Sequence, residues 1–172
     1  MNAKIIWFTG LSGSGKTTLA NLAFNYLKKN KKNFKIKKID GDIFRKKKKL
    51  KSFTKETIIQ NNLNIINYIK SINSKYNFIL VSVISPLIKT RKFARKTFLY
   101  DYYEIHTKCS MSTLIKRDPK KLYELAKKKK LNNLIGYNSS IKYQISRYKI
   151  LTINTGRTSR RKSLDKIIKY IL

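Results

Sequence analysis

The stretch "FTGLSGSGKTT", residues 8–18, holds three of the six glycines of a 172-residue chain, Gly10, Gly13 and Gly15, within six positions. It reads G-x-x-x-x-G-K-[ST], the pattern of a phosphate-binding loop. Each residue type serves a separate need. Glycines adopt the open backbone angles that turn successive N–H groups inward, and they keep Cβ atoms away from an incoming anion. Lys16 can reach β- and γ-phosphates, and Thr17 can ligate Mg²⁺. The flanks agree with the motif. "KIIWF" before it is an apolar run of strand length, and "TTLANLAFNYLKK" after it carries Leu19, Leu22, Ala23, Tyr26 and Leu27 at helical spacing. Strand, loop and helix N-terminus come in the order that presents backbone N–H groups to an anion.

Working outward, strand and helix signals alternate, which predicts an α/β domain with a parallel sheet. The expected strands are 4–9, 33–40, 76–84, 101–108 and 149–154; the expected helices are 16–30, 55–74, 86–98, 110–117 and 159–172. In the second helix Ile58, Ile59, Leu63, Ile66, Ile69 and Ile72 recur at a helical period. "YNFILVSVI" is a near-continuous apolar run, as in a central strand buried on both faces. Five parallel strands with right-handed crossovers give a doubly wound sheet of the P-loop NTPase type, with ligands at the C-terminal strand ends. Two segments, "RKKKKLK" (45–51) and "AKKKKLNNLIGYNSSIKYQISR" (126–147), look too polar and irregular to be core and sit where a phosphotransferase needs mobile cover; residues 117–147 are the expected lid.

A chain of this length reads as one domain, 1–172, large enough to bury a core. No secretory leader is visible, and no apolar run approaches the roughly 20 residues of a membrane helix. One cysteine, Cys109, excludes an intrachain disulfide or thiolate cluster, and a cytoplasmic setting is the simplest expectation. The net charge of +33 invites a nucleic-acid reading. Its distribution argues otherwise: 33 of 41 basic residues are Lys, scattered through every segment, alongside 24 Ile and 15 Asn but only 2 Val and 5 Ala. Lys, Ile, Asn, Tyr and Phe share AT-rich codons, so mutational bias explains the profile. Nonspecific, salt-sensitive binding of nucleic acid follows from the charge alone.

Only 8 acidic residues exist, yet two form "DGD" at 40–42, at the end of the second strand. In a doubly wound sheet that end faces the phosphate loop, which sets Asp40 and Asp42 opposite the γ-phosphate. Phosphoryl transfer to an alcohol needs an acceptor for the hydroxyl proton and oxygen ligands for the waters of Mg²⁺, and two carboxylates serve both needs. An Asp-Gly strand-terminating turn is the plain alternative. Arg45 suits an anionic acceptor, since guanidinium binds phosphate or sulfate as a fork. "VISP" ends the central strand and puts Ser85 at the crevice or, equally, at a simple helix cap. Arg117 in "KRDPKKLYELA" starts the lid.

These residues together resemble the adenylylsulfate kinase family, ATP-dependent enzymes that phosphorylate the 3′-hydroxyl of adenosine 5′-phosphosulfate. The resemblance runs through "WFTGLSGSGKTT", "DGD..R", Phe53 with Asn61, "ISP" with Arg91 and Arg95, "RDPK.LY..A", Gly136 and "NTG" at 154–156. It implies that Gly10, Leu11, Ser12, Gly13, Ser14, Gly15, Lys16, Thr17, Thr18, Arg117 and Thr155 hold ATP. It further implies that Asp40, Asp42, Arg45, Phe53, Asn61, Ile84 and Ser85 meet the acceptor, and that Lys16, Asp40, Asp42 and Ser85 are the catalytic set. In some members the serine matching Ser85 is described as a phosphoserine. The implied partners are ATP with Mg²⁺ and adenylylsulfate, no membrane, and a homodimer as an open option. Departures fall on the acceptor side. The family's Asp-Arg pair is Thr57-Ile58 here, its later arginines are Leu63 and Asn64, the aromatic over the acceptor's base is Leu134, and its closing carboxylate is Lys142. Another small alcohol or nucleotide as acceptor, or a binding protein that has lost catalysis, therefore stays open.

Overall fold

In a computed structural model that describes residues 2–48 and 54–172, β1 (Lys4–Thr9) forms the centre of a five-stranded, fully parallel sheet. The order is β2 (Ile36–Asp40), β3 (Phe78–Ser82), β1, β4 (Tyr102–Lys108), β5 (Leu151–Asn154). Helices α1 (Lys16–Asn30), α2 (Gly41–Lys47), α3 (Lys55–Ile72), α4 (Ile88–Phe98), α5 (Met111–Arg117), α6 (Leu122–Lys127) and α7 (Arg160–Ile171) connect and cover the strands. This is the P-loop NTPase architecture expected from the alternating pattern. The loops leaving β1, β3 and β4 open at one end of the sheet, where connections depart in opposite directions and ligands collect.

The strand pattern follows from burial on both faces. Along β1, Ile5 and Trp7 point into one apolar layer with Ile65, Ile66 and Ile69 of α3 and Phe98 of α4. Ile6 and Phe8 point into the other with Leu19, Ala23 and Leu27 of α1 and Ile167 and Ile171 of α7. All four β1 side chains are fully buried, each contributing roughly 1.5–3 kcal/mol. On α3 the buried stripe is Ile58, Asn61, Asn62, Ile65, Ile66 and Ile69, and Ile59, Leu63 and Ile72, expected on it, are only half-buried.

Two expectations about polar segments need correction. The run 45–51, of which 49–51 lie outside the described residues, is helical as far as Lys47, because Asp40 caps α2 by accepting from the N–H groups of Asp42 (2.9 Å) and Ile43 (3.3 Å). Arg45, Lys46 and Lys47 then fall in its last turn, where cations suit the helix dipole. In 126–147 regular structure ends with α6, yet Leu134 and Ile135 are buried, so this segment does contribute core. Leu134 packs with Leu114, Tyr123 and Ala126, and Ile135 with Ile58 and Leu87.

The end of that segment is fastened to the sheet by a buried ion pair. Arg91 on α4 donates to Glu104 on β4 at 3.0 Å, with both side chains almost wholly out of solvent. Its remaining N–H groups donate to the carbonyls of Ser85 and Gln144 and to the Ser146 hydroxyl. Ser146 in turn donates to Glu104 at 2.5 Å. Gln144 completes the attachment, its side chain accepting from the N–H of Ile88 at the start of α4.

Candidate active site

The loop after β1 folds back on the sheet through contacts that only glycine permits at its first position. Gly10 has φ 144°, and a Cβ there would lie 2.2 Å from the carbonyl oxygen of Thr107. Its N–H donates to the carbonyl of Ile84 at 3.4 Å, and Ser14 and Thr107 share a hydroxyl hydrogen bond of 2.7 Å. Gly10 and Ser14 thus brace the loop from behind. Leu11 packs beneath Gly136, where a Cβ would lie 2.6 Å from a terminal carbon of the leucine and where φ is 82°. Lys16 donates to the carbonyl of Leu11 at 2.8 Å. Burial lowers its pKa to about 8, against the opposing pull of Asp42 and Asp40.

The exposed rim of the loop borders a cavity of about 590 Å³. Of the residues that the sequence marks for ATP, Ser12, Gly13, Gly15, Lys16, Thr17, Thr18, Arg117 and Thr155 line it, and Asp40, Asp42 and Ile84 join them from the β2 and β3 ends. Arg117 donates to the Thr155 hydroxyl (3.0 Å) and carbonyl (2.7 Å), and the Thr155 hydroxyl donates to the carbonyl of Ser14 at 2.9 Å. The end of α5, the turn after β5 and the phosphate loop are thereby tied together. A larger cavity, about 890 Å³, follows edge strand β2 and touches Thr17 and Asp40 but none of the loop glycines. Size alone does not choose the site; the loop glycines with Lys16 and Thr17 on the wall of the smaller cavity do.

Asp40 and Asp42 divide the work. Asp40 caps α2 with one oxygen, while the other accepts from Thr17 (3.2 Å) and Ser82 (3.3 Å). Asp42 projects across the cavity and forms an ion pair with Lys120. Burial would raise the Asp42 pKa; the hydrogen bond and charge of Lys120, with Arg45 and Lys16 behind them, hold it below the ordinary carboxylate value. Burial likewise lowers the Arg45 pKa, and Asp42 opposes the change.

A third, small cavity of about 40 Å³ lies beyond Asp42, bordered by Arg45, Ile58, Asn61, Asn62, Ile84 and Ser85. Ser85 stands apart from the nucleotide-sized cleft: it is 1% exposed, has φ 44°, and its hydroxyl lies 3.4 Å from that of Thr90. Phe53 lies outside the described residues. Ile58, where the family pattern has a cation, is packed against Leu87 and Ile135. Three candidates were passed over in the sequence. Lys120 sits inside the quoted "RDPK" motif, Arg160 opens α7 on the cavity wall, and Asn62 occupies the apolar stripe four residues from Ile58. A polar residue on an apolar stripe was the available signal for Asn62.

Beneath the loop, His106 of β4 stacks on Tyr143 with ring centres 5.1 Å apart, and the Tyr143 hydroxyl is 2.8 Å from that of Thr9. Burial first, then Arg91 and Lys108, lower the His106 pKa to about 4. The unfolded chain therefore binds a proton that the folded protein refuses between pH 6.5 and 4, and stability falls as pH drops through that window. Replacing His106 with Phe keeps the stack and removes the proton. The wild type should lose about 2–3 kcal/mol more than His106→Phe between pH 7 and 4.5, read from urea midpoints; parallel losses would show that His106 is charged in the fold.

Comparison with known proteins agrees with this geometry. The family model described as adenylylsulphate kinase matches residues 2–147. Cytidine diphosphoramidate kinase of Campylobacter jejuni is 32% identical over 170 residues, 99% of this chain and 97% of its own. Adenylyl-sulfate kinase of Bacillus licheniformis is 30% identical over 171 residues, 98% and 85% of the two chains. Among solved structures, the Mycobacterium tuberculosis APS kinase CysC in complex with AMPPNP and APS superposes with a TM-score of 0.88 at 26% identity, covering 99% of this chain and 98% of that one.

Proposed function

The chain belongs to the adenylylsulphate kinase family of ATP-dependent phosphotransferases with an alcohol acceptor, and we propose that it transfers the γ-phosphoryl group of ATP to the 3′-hydroxyl of adenosine 5′-phosphosulfate. The observation that carries this reading is the position of Asp42, which borders the nucleotide-sized cleft and the small acceptor-side cavity at once. A group that takes a proton from the attacking hydroxyl must stand at that junction.

In this reading the loop N–H groups cradle the phosphates, Lys16 leaves the Leu11 carbonyl for the β- and γ-phosphates, and Arg117 with Thr155 covers the nucleotide. Arg45 holds the acceptor's anion. Asp42 orients the hydroxyl and accepts its proton as the oxygen–phosphorus bond forms and ADP departs. Lys120 must leave Asp42 first, because the ion pair depresses its basicity. Residues 117–147, which carry Arg117, Lys120 and the Gly136 contact with Leu11, act as the lid. Thr17 beside the Asp40 carboxylate offers the hard oxygen donors that Mg²⁺ takes. Among the described residues no group of three His, Cys, Asp or Glu could cage a metal, so Thr17 and the phosphates of ATP would hold the ion, with Asp40 contacting its waters. Bound there, it would neutralise charge developing on the phosphates.

A second reading, a cytidine nucleotide as acceptor, is favoured by the full-length similarity to the Campylobacter enzyme and by the apolar packing of Ile58 and Leu134 where the family pattern has a cation and an aromatic. Labelled ATP with Mg²⁺, offered adenylylsulfate and cytidine diphosphoramidate separately, decides between them. We expect kcat/KM to favour adenylylsulfate; a tenfold preference for the cytidine compound would install the second reading.

A further inference from the structure

The turn after β3 holds an unfavourable backbone conformation. Ser85 has φ 44°, in the left-handed region that residues other than glycine rarely adopt, and such strain persists only where the surroundings over-determine it. The end of the segment 126–147 supplies that hold. The N–H of Gln144 donates to the carbonyl of Pro86 at 2.8 Å, and Arg91 donates to the carbonyls of Gln144 and Ser85 together. One residue earlier, the hydroxyl of Tyr143 is 2.8 Å from that of Thr9. Counting protons gives this bond its direction. Thr9 has one hydroxyl proton and gives it to the carbonyl of Ile84 at 2.6 Å, so Tyr143 is the donor to Thr9. Burial lifts the Tyr143 pKa to about 12, which keeps that proton in place at neutral pH. The Ile84 carbonyl also accepts from the N–H of Gly10, the first residue of the phosphate loop, at 3.4 Å. Ile84 borders both the nucleotide-sized cleft and the small cavity beyond Asp42, whereas Tyr143 lies on the wall of neither.

We propose that Tyr143 is a positioning residue for phosphoryl transfer, acting through Thr9 to set the Ile84–Ser85 turn against the phosphate loop and so align donor with acceptor. This rests on the kinase reading and extends it to a side chain that touches neither substrate. Hydrogen bonds in series, here Tyr143 to Thr9 to the Ile84 carbonyl, polarise and strengthen one another. The far end of the series is where the reacting atoms meet, and there a misplacement of about 1 Å costs about 10²-fold in rate. The ring of Tyr143 is held separately. His106 stacks on it with centres 5.1 Å apart, and the Arg91 guanidinium lies 5.2 Å from its centre. The aromatic body therefore stays in place when only the hydroxyl is removed.

Tyr143→Phe keeps the ring and breaks the series. Single-turnover transfer from saturating ATP and Mg²⁺, with saturating adenylylsulfate or cytidine diphosphoramidate as acceptor, should slow about tenfold. Calorimetry with a non-hydrolysable ATP analogue should give the wild-type Kd within about twofold, because the nucleotide contacts are intact. Thr9→Val breaks the series from its other end. The double variant should transfer no more slowly than Thr9→Val alone, since both changes remove one path. Slowing of Tyr143→Phe by less than about threefold, slowing matched by weaker analogue binding, or losses that multiply in the double variant overturn the proposal. A Tyr143→Phe protein that no longer melts cooperatively makes Tyr143 structural and overturns it too. The two readings fail distinguishably. A wild type that transfers to neither compound overturns the kinase reading and this proposal with it, and wild-type transfer with an unaffected Tyr143→Phe overturns this proposal alone.

Discussion

Asp42→Asn should bind ATP as the wild type does and transfer phosphate about 10²- to 10⁴-fold more slowly. The substitution is isosteric and leaves the Asp40 cap of α2 intact, so the local backbone has no reason to move. What disappears is the charge that orients and deprotonates the acceptor hydroxyl. Lys120 is also released from its ion pair, which leaves it available to the phosphates and protects ATP affinity. Single-turnover transfer and calorimetric ATP binding separate the two effects. Turnover within tenfold of the wild type would remove Asp42 from the chemistry, and weakened ATP binding with normal turnover would assign it to the nucleotide.

Lys16→Ala should cost about 10²- to 10³-fold in kcat with the fold retained. Among the described residues the ammonium donates one hydrogen bond to protein, to the Leu11 carbonyl on the loop itself, so its loss removes no long-range hydrogen bond. Its value lies in the transition state, where charge accumulates between the β- and γ-phosphates in a partly desolvated floor. Steady-state kinetics paired with a thermal melt reads both quantities. An active mutant would refute the assignment of the phosphate loop, and an unfolded one would make Lys16 structural.

The parts of this architecture that were legible in the sequence are those written locally. The phosphate loop, its flanking strand and helix, and the acidic pair at the end of β2 each occupy 15 residues or fewer, and backbone demands and charge scarcity expose them. The features that escaped join distant positions. Lys120 meets Asp42 across 78 residues of sequence, and in a chain with 33 Lys its place in the "RDPK" motif marks it but does not say which carboxylate it meets. The segment 126–147 reads as solvent-facing because its composition is polar, yet burial of Leu134 and Ile135 depends on partners in α3, α5 and α6 that no local window contains. The basic run after Asp42 read as irregular because charge density was weighed and the Asp40 cap was not.

The buried pair of Arg91 and Glu104 sets a boundary on how far this sequence can drift. The composition is that of a chain pulled toward lysine, and on most of the surface an exchange of Arg for Lys costs little. At position 91 it does not, because one planar guanidinium serves Glu104, Ser146 and the carbonyls of Ser85 and Gln144 together. A compact ammonium on a flexible stem cannot span those four directions. The Glu104 carboxylate would then sit buried beside unfilled acceptors, and both the acceptor-side turn at Ser85 and the attachment of residues 144–146 would loosen in one step. Position 91 is thus a ratchet buried beneath an otherwise permissive exterior, passable only if Glu104 changes at the same time.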